Sequence, residues 1–173
     1  MADPKTGEIR WYSPDPRGIF ELDAFKIPRS LRQTIRKNIF EVRVNEKFEE
    51  VIRRCGEREE TWISEDIIRM YVELHGLGFA HSVETWKDGK LAGGLYGVAI
   101  GGAFFGESMF SLERDASKVA LVALVERLKQ KKFELLDTQW TTPHLMRFGS
   151  MEIPRKDYLK RLSKALQKEC SFI

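Results

Sequence analysis

Apolar residues recur at helical spacing in five segments of the 173-residue chain. We predict helices in these segments, at residues 29–38, 46–55, 65–75, 116–130 and 155–168. Asn45 and Ser64 stand directly before two of them, where the side chain of an N-cap residue accepts a hydrogen bond from the first turn. The first half of segment 116–130 is apolar on nearly every side, so we expect that helix to be buried.

Alternating apolar and polar residues predict strands at residues 40–44, 81–86, 133–139 and 151–153. A longer stretch, residues 91–111, holds six of the 13 glycines and no charged residue before Glu107. So many glycines disfavour a helix. We therefore interpret the stretch as two buried strands joined by a turn at Gly101-Gly102.

The order of these elements predicts an α+β fold. The second half of the chain runs strand, strand, strand, helix, strand, helix, which favours a sheet of antiparallel hairpins with helices packed on it. We predict a small N-terminal lobe at residues 1–60, whose proline-rich start at 1–27 forms turns, and a larger domain at residues 61–173. In the C-terminal helix the inward-packing residues are expected to be Tyr158, Leu159, Leu162, Ala165 and Leu166.

Composition narrows the class of protein. With 42% hydrophobic and 32% charged residues, the sequence is typical of a soluble globular domain, and its polar start, MADPKTGEIR, predicts neither a signal peptide nor a membrane anchor. Cys55 and Cys170 lie far apart, and the three histidines lack ligand spacing, so we expect a cytoplasmic protein without a metal. Neither GxxxxGK[ST] nor a strand followed by GxGxxG occurs, and we expect no cofactor.

Basic residues are concentrated in two segments, although the net charge is only +3. The first segment contains Arg29, Arg32, Arg36 and Lys37, and the second is the predicted helix at residues 155–168. A charged stripe is often no more than a solvated face, but a phosphate backbone requires several cations on one surface. Two such segments favour a nucleic-acid partner. Arg17 belongs to neither and gives no signal of its own.

Polar side chains at the ends of two predicted strands are the candidate catalytic residues. Glu107 follows the glycine-rich apolar run, where an isolated carboxylate indicates either a functional site or a structural ion pair. Side chains alternate along residues 133–139, so Asp137 and Gln139 share a face and could hold an amine. Alternatively, Asp137 caps the loop after the strand. Three aromatic residues are by default part of the core: Trp62, Tyr71 and Phe104.

Eight short blocks follow one another in an order that spans nearly the whole chain. They are WYSPDPRG at 11–18, TWIS at 61–64, HSVETW at 81–86, LAGGLYGV at 91–98, FFGESMFS at 104–111, DASKVAL at 115–121, LLDTQ at 135–139 and EIPRKDYL at 152–159. This ordered set resembles the leucyl/phenylalanyl-tRNA–protein transferases of the bacterial N-end rule pathway. The resemblance implies a GNAT-like acyltransferase fold, an antiparallel or mixed sheet flanked by helices, that works without coenzyme A.

The resemblance also implies an activity. Family members move Leu, Phe or Met from an aminoacyl-tRNA to the N-terminus of a protein that begins with Arg or Lys, which marks that protein for degradation. Glu107, Asp137 and Gln139 match the polar reaction centre of the family. We expect Asp137 to accept a hydrogen bond from the α-amine of the acceptor and Gln139 to be the second hydrogen-bond partner of that amine. Glu107 is expected to face the basic side chain of the acceptor's first residue.

The same resemblance assigns residues to the two ends of the donor. The residues that match aromatics around the aminoacyl and adenosine groups are Trp62, Tyr71 and Phe104. The residues that match the tRNA-contacting cations are Arg29, Arg36 and Lys37, with Gln33 where a further cation is usual. Family members carry a longer segment before the WYSPDPRG block, including an aromatic GIFPW-like stretch, so the chain is interpreted as a short form of the family.

Two alternatives stay open at this point. A non-catalytic tRNA- or RNA-binding module would keep the fold and the basic face, but it would have no need of three converging polar residues. A related enzyme would transfer the amino acid from tRNA to a different amine acceptor. The acceptor chemistry separates these alternatives, and the sequence does not specify it.

Overall fold

The computed structural model describes residues 6, 8, 9, 11–59 and 61–173. The strands within these residues are β1 (Arg17–Phe20), β2 (Glu41–Val44), β3 (Ala80–Lys87), β4 (Lys90–Ile100), β5 (Ala103–Ser111), β6 (Leu135–Gln139) and β7 (Met151–Ile153). The helices are α1 (Arg29–Arg36), α2 (Phe48–Gly56), α3 (Glu65–Gly76), α4 (Ala116–Gln130), α5 (Pro143–Met146) and α6 (Arg155–Leu166). In these described ranges, no helix combines the length and the apolar character that crossing a membrane would require.

The seven strands form one sheet in the order β2-β3-β4-β5-β6-β1-β7. Each neighbouring pair is antiparallel except β5 and β6, which run parallel. The parallel pair arises because α4 carries the chain from the end of β5 back to the start of β6. The mixed sheet with packed helices confirms the predicted α+β class.

Three apolar clusters form the core. Leu95 and Tyr96 are adjacent on β4, so they point to opposite faces of the sheet, and they belong to different clusters. The cluster of Leu95 lies between the sheet and α4. Nine residues of α4 are buried, eight of them in this cluster, which confirms the prediction of a buried helix. The cluster of Tyr96 lies beneath α2 and α3. The third cluster, with Ile19, Leu135 and Tyr158, lies beneath α6.

The predicted turn between the two glycine-rich strands is confirmed. β4 ends at Ile100 and β5 begins at Ala103, and Gly101 between them has a φ of +55°, a region that glycine adopts without steric cost. A side-chain carbon at Gly101 would lie 2.8 Å from the carbonyl oxygen of Leu166. The turn therefore also allows the end of α6 to pack closely against the sheet.

Asn45 does not cap α2, contrary to the prediction. Its φ of +61° is left-handed, and its side-chain oxygen accepts a hydrogen bond from the Ser82 backbone N–H at 2.9 Å. The helix consequently begins later, at Phe48. The Lys47 backbone N–H donates instead to the buried carboxylate of Glu84 on β3, at 2.8 Å. A residue distant in the sequence thus supplies the anionic partner for this helix start.

Two other expectations about helices have different outcomes. Ser64 caps α3 as predicted, and its hydroxyl accepts from the Ile67 backbone N–H at 3.3 Å. In α6, by contrast, Leu159 and Leu166 are 53% and 44% exposed, so the prediction that they pack inward is wrong. The inward face of α6 is narrower than the apolar pattern suggests, since it consists of Tyr158, Leu162 and Ala165, which pack in the third cluster.

The sequence does not predict β1, because Pro14 and Pro16 indicate turns throughout residues 1–27. The strand inserts between β6 and β7 and pairs with both. β1 and β2 therefore belong to the same sheet as the strands of residues 61–173. The division into a lobe at 1–60 and a domain at 61–173 stays a prediction, and residues 1–5, 7, 10 and 60 lie outside the described residues.

Candidate functional site

The candidate site lies between β5 and β6 beyond their last paired residues, and we call this region the cleft. The two strands are paired only between residues 103–105 and 135–137, and β5 then continues along β4 to Ser111. Glu107 enters this cleft from β5 and Asp137 from β6, close enough for the charge of Asp137 to raise the pKa of Glu107. Among the described residues, no three His, Cys, Asp or Glu side chains are grouped in a way that would hold a metal ion.

A β-bulge determines the direction of Glu107. Tyr96 on β4 lies opposite Ser108, whereas Gly97 lies opposite Gly106, so Glu107 is the extra residue between the two pairs. An insertion of this kind interrupts the alternation of a strand and re-aims a side chain. Gly97, in the glycine-rich stretch, thus lies opposite the bulge that positions the Glu107 carboxylate.

Glu107 is partly buried, and this location changes its acidity. Desolvation raises the pKa of Glu107 from 4.5 to about 7, and the charge of Asp137 acts in the same direction. The Tyr71 hydroxyl on α3 and the Arg17 guanidinium, which lie near Glu107, act in the opposite direction. Glu107 therefore changes its charge near neutral pH, which is the property required of a group that accepts and releases a proton.

The Tyr96 hydroxyl is a second polar group next to Glu107. Tyr96 is fully buried, and its ring packs edge-to-face against Tyr71 with centroids 5.3 Å apart. Its hydroxyl has no hydrogen-bond partner in the part of the chain that the structure describes. Because a buried hydroxyl without a partner carries a desolvation cost, this group is suited to bind a polar atom of a ligand.

Asp137 is fully buried and accepts hydrogen bonds from four donor groups. At Oδ1 it accepts from the Arg17 Nε at 3.0 Å and from the Gln139 backbone N–H at 2.8 Å. At Oδ2 it accepts from the Arg17 Nη2 and from the Tyr158 hydroxyl, both at 2.6 Å. Each carboxylate oxygen has about two accepting positions, so these donors fill the capacity of the side chain.

Arg17 is the residue of this site that the sequence does not indicate. Its guanidinium forms a bidentate ion pair with Asp137, and it also lies over the Tyr158 ring, 4.8 Å from the centroid. Both side chains of the ion pair are withdrawn from water, with 12% and 0% exposure. The only indication of this ion pair in the sequence is that Arg17 and Tyr158 stand in two of the blocks that carry the family resemblance.

Gln139 does not share a simple strand face with Asp137. Gly18 of β1 lies opposite Gln139 and Ile19 lies opposite Asp137, so Thr138 is the extra residue of a second bulge. Gln139 also has a φ of +58°, which turns the backbone out of the strand. Its N–H bond to Asp137 is the loop-capping arrangement that stood as the alternative role of this aspartate.

The structure separates the three predicted pocket aromatics. Trp62 and Tyr71 both pack, half-buried, on the cluster beneath α2 and α3, which is the side of the sheet where Tyr71 meets Glu107. Phe104 instead belongs to the cluster beneath α4, where it is fully buried and stacks on Phe172 with centroids 5.2 Å apart. Phe104 is thus a core residue on the opposite face, and the expectation that it lines the pocket with the other two needs correction.

The predicted tRNA-contacting residues lie on one exposed helix. Arg29 and Arg36 line a cavity of about 440 Å³ together with Ile27, Arg32 and Gln33. Lys37 directly follows the helix as its C-cap. Among the described residues, no ion pair involves Arg29, Arg36 or Lys37. α1 therefore presents cations that are available to a polyanion.

The second basic segment differs from α1, because acidic residues neutralise most of it. The ion pairs on this helix are Arg155–Asp15, Lys160–Asp157, Arg161–Glu21, Lys164–Glu134 and Lys168–Glu134. Binding of phosphates by both basic segments stays a prediction, and the local charges favour α1. The cations of α1 are therefore the more available of the two sets.

A cavity of about 390 Å³ is lined by residues that neighbour the Arg17–Asp137 pair in the chain, among them Pro16, which precedes Arg17, and Trp140, which follows Gln139. Its wall contains two carboxylates, Asp15 and Glu152, and two half-exposed aromatic rings, Tyr12 and Trp140. Carboxylates and aromatic faces are the groups with which proteins surround a cationic side chain.

Solved structures with similar folds exist. A conserved protein from Staphylococcus epidermidis described as functionally unknown superposes with a TM-score of 0.51 at 9% identity, over 80% of this chain and 57% of that one. This likeness concerns the arrangement of the sheet and helices alone. An aminoglycoside acetyltransferase from a soil metagenome superposes with a TM-score of 0.48 at 13% identity, over 76% of this chain and 89% of that one.

The sequence comparisons identify the family. The family model described as leucyl/phenylalanyl-tRNA protein transferase matches residues 19–163. The leucyl/phenylalanyl-tRNA–protein transferase of Herpetosiphon aurantiacus is 56% identical over 167 residues, which covers 96% of this chain and 87% of that protein. The chain belongs to the leucyl/phenylalanyl-tRNA–protein transferase family, and the resemblance found in the sequence is confirmed.

Proposed function

We propose that this protein transfers an apolar amino acid, Leu, Phe or Met, from aminoacyl-tRNA to the N-terminal amine of proteins that begin with Arg or Lys. The transfer would mark these proteins for degradation by the N-end rule. The family match carries the proposal, because residues 19–163 include the exposed helix α1 as well as Glu107 and Asp137 in the cleft. Both proposed substrates are cytoplasmic, and we place the protein in that compartment.

The proposed reaction requires a neutral amine held next to an ester. The amine nitrogen attacks the ester carbonyl, a C–N bond forms, the C–O bond to the terminal ribose breaks, and the ribose oxygen takes up a proton. An α-amino group has a pKa of about 7.7–8.0, so roughly a tenth of it is already neutral near pH 7. Holding both reactants in attack geometry can contribute about 7–11 kcal/mol, more than the roughly 10²–10⁴-fold expected from proton transfer.

The aminoacyl side chain is proposed to bind near Trp62 and Tyr71. These rings and the buried cluster beneath them favour an apolar side chain, since a charged one would lose its hydration without gaining a partner. One methylene in such a pocket changes affinity by only about 1–3 kcal/mol. Leu, Phe and Met are therefore expected to be overlapping substrates of one site.

The acceptor is proposed to place its basic first residue in the cavity formed by Tyr12, Asp15, Trp140 and Glu152. The carboxylate of Glu152 and the aromatic faces of this cavity favour Arg and Lys, whereas Asp15 is already paired with Arg155. The position of the cavity next to Arg17 leaves Glu107 available for the α-amine itself. This placement replaces the expectation from the sequence that Glu107 is the partner of the basic side chain.

The tRNA is proposed to bind along α1, and salt dependence tests this location. With Arg29, Arg32, Arg36 and Lys37 as phosphate partners, the logarithm of affinity should fall with the logarithm of salt with a slope of about −3 to −4. The variant with Arg36→Ala and Lys37→Ala should flatten this slope by roughly 1.5–2. Filter binding or fluorescence anisotropy across salt concentrations measures the slope.

The matched control removes two cations from α6 with Lys156→Ala and Lys160→Ala. This double variant should keep the slope of the unmodified protein, because Lys160 is paired with Asp157 and because the proposed track lies on α1. A flattened slope in the control together with an unchanged slope in the α1 variant would move the tRNA to the C-terminal helix.

A transfer assay tests the activity as a whole. The protein is incubated with a mixture of charged tRNAs and with peptides that differ only in their first residue, and the products are identified by mass. We expect Leu, Phe and Met on peptides that begin with Arg or Lys, and no transfer of Asp or Lys. Binding of tRNA without any product would favour the RNA-binding module, and products on other amines would favour the related transferase.

A further inference from the structure

The two carboxylates of the cleft are not equivalent acceptors. Asp137 already accepts from four donor groups, on Arg17, Tyr158 and the Gln139 backbone, and none of its surface is exposed. An amine could bind it only by displacing one of these donors. Glu107 is only partly buried, and among the described residues Tyr71 is its one hydrogen-bonding neighbour, so positions remain at which its carboxylate can accept from an amine.

We propose that Glu107 accepts the proton of the acceptor's α-ammonium group, and that Arg17 and Tyr158 hold Asp137 as a fixed neighbouring charge that does not contact the amine. The inference rests on the proposed function and deepens it, because it assigns the proton transfer of that reaction to one of two candidate groups. Glu107 is then the catalytic residue of the pair, and Arg17 and Tyr158 are positioning residues.

The proton balance of the step is complete. The ammonium loses one proton to the Glu107 carboxylate, and the neutral nitrogen attacks the ester carbonyl. When the C–O bond breaks, the ribose oxygen receives the second proton of the nitrogen, which leaves an amide. The carboxylic acid of Glu107 releases its proton to water before the next turnover. No oxidant, reductant or metal takes part in this sequence.

The surroundings of Glu107 explain why Arg17 matters to a group that it does not touch. Among the described residues, the charged and titratable groups facing Glu107 are Tyr71 from α3, Tyr96 from β4, Asp137 from β6 and Arg17 from β1. Arg17 compensates the charge of Asp137 within the ion pair. Without it, the uncompensated carboxylate would make Glu107 harder to ionise and a poorer proton acceptor near neutral pH.

Single-turnover transfer from charged tRNA to an Arg-initiated peptide, followed from pH 5.5 to 9, tests the assignment. The unmodified protein should show a rate that rises with pH and levels off near pH 7, where Glu107 ionises. In Glu107→Gln the rate at pH 7 should fall about 10²–10⁴-fold. The pH at which the rate levels off should then rise to the pKa of the peptide amine, about 8. An unchanged pH profile in Glu107→Gln would overturn the proposal.

The positioning role of Arg17 has a separate readout. In Arg17→Gln, the pH at which the transfer rate levels off should be higher than in the unmodified protein. In Arg17→Lys, which keeps the charge, that pH should return largely to the value of the unmodified protein. A purely structural role would lower the rate of both variants without changing that pH. If Arg17→Gln does not fold, Tyr158→Phe removes one donor from Asp137 and should change that pH in the same direction by less, and no change would contradict the role.

The outcomes separate this inference from the proposed function. If the unmodified protein transfers no amino acid from any charged tRNA to any peptide, the proposed function is wrong. If it does transfer, but Asp137 is the proton acceptor, the pH profile of Glu107→Gln will match that of the unmodified protein. In that case the activity stands and only the assignment of Glu107 fails.

Discussion

Asp137→Asn should reduce the free energy of unfolding by about 3–5 kcal/mol, the cost of leaving one member of a buried ion pair without its counter-charge. Asparagine has nearly the size of aspartate, so the change leaves the packing intact and removes only the negative charge. The Arg17 guanidinium, only 12% exposed, would remain beside a neutral amide whose NH₂ group cannot accept from it. Chemical denaturation followed by circular dichroism measures the difference.

A double-mutant cycle distinguishes the ion pair from general damage to the core. In a protein with both Asp137→Asn and Arg17→Met, no charge stays buried, so the loss should be smaller than the sum of the two single losses by about 0.5–3 kcal/mol. Glu49→Gln is the matched control, because it breaks the exposed pair between Glu49 and Arg53 on α2. That change should cost no more than about 0.5 kcal/mol. A comparable small cost for Asp137→Asn would contradict the buried-pair interpretation.

The local pattern of the sequence is sufficient for most helices and strands but not for β1. The predicted helix at residues 116–130 has the bounds of α4, because it is long and because apolar residues on nearly every side are typical of a buried helix. β1 is four residues long and follows a proline-rich run, so no alternation can develop. Its position between β6 and β7 is fixed by pairing with strands more than 100 residues away, which local propensity does not encode.

The candidate site shows a similar limit. Glu107 and Asp137 are both recognisable as carboxylates that follow apolar runs, although both lie within their strands and not at the ends. Their environments are not, because the Arg17–Asp137 pair joins residues 120 positions apart. Counting alternate residues also fails after each bulge, since one extra residue at Glu107 or Thr138 reverses the face of every later residue in the strand. Spacing along a strand predicts a shared face only while the ladder is regular.

Phe104 illustrates a different limit. Its neighbours in the FFGES block lead to the cleft, but Phe104 itself precedes the bulge and points toward α4. The sequence indicates that the strand is buried on both faces, and it does not indicate which helix covers which face. Resemblance to a family assigns a role to the position, whereas the packing assigns the side chain to the core with Phe172.

Gly97→Ala should be among the most destabilising single changes in the protein. A side-chain carbon at this position would overlap the carbonyl oxygen of Phe105 and lie 2.5 Å from a ring carbon of Phe104. The first contact is with backbone on the adjacent strand, so a change of rotamer cannot relieve it, and β4 and β5 would have to separate. Overpacking of this severity is expected at the upper end of the usual range, about 3 kcal/mol or more.

The same substitution should also lower transfer activity, because Gly97 lies opposite the bulge that aims Glu107. Gly76→Ala is the matched control, since Gly76 ends α3 and the added carbon would meet only open space. This variant should be as stable as the unmodified protein or more stable by roughly 0.4–1 kcal/mol. Melting temperature and single-turnover transfer are measured for both variants. A Gly97→Ala protein that melts and transfers like the Gly76→Ala protein would show that the close approach of β4 and β5 does not fix the position of Glu107.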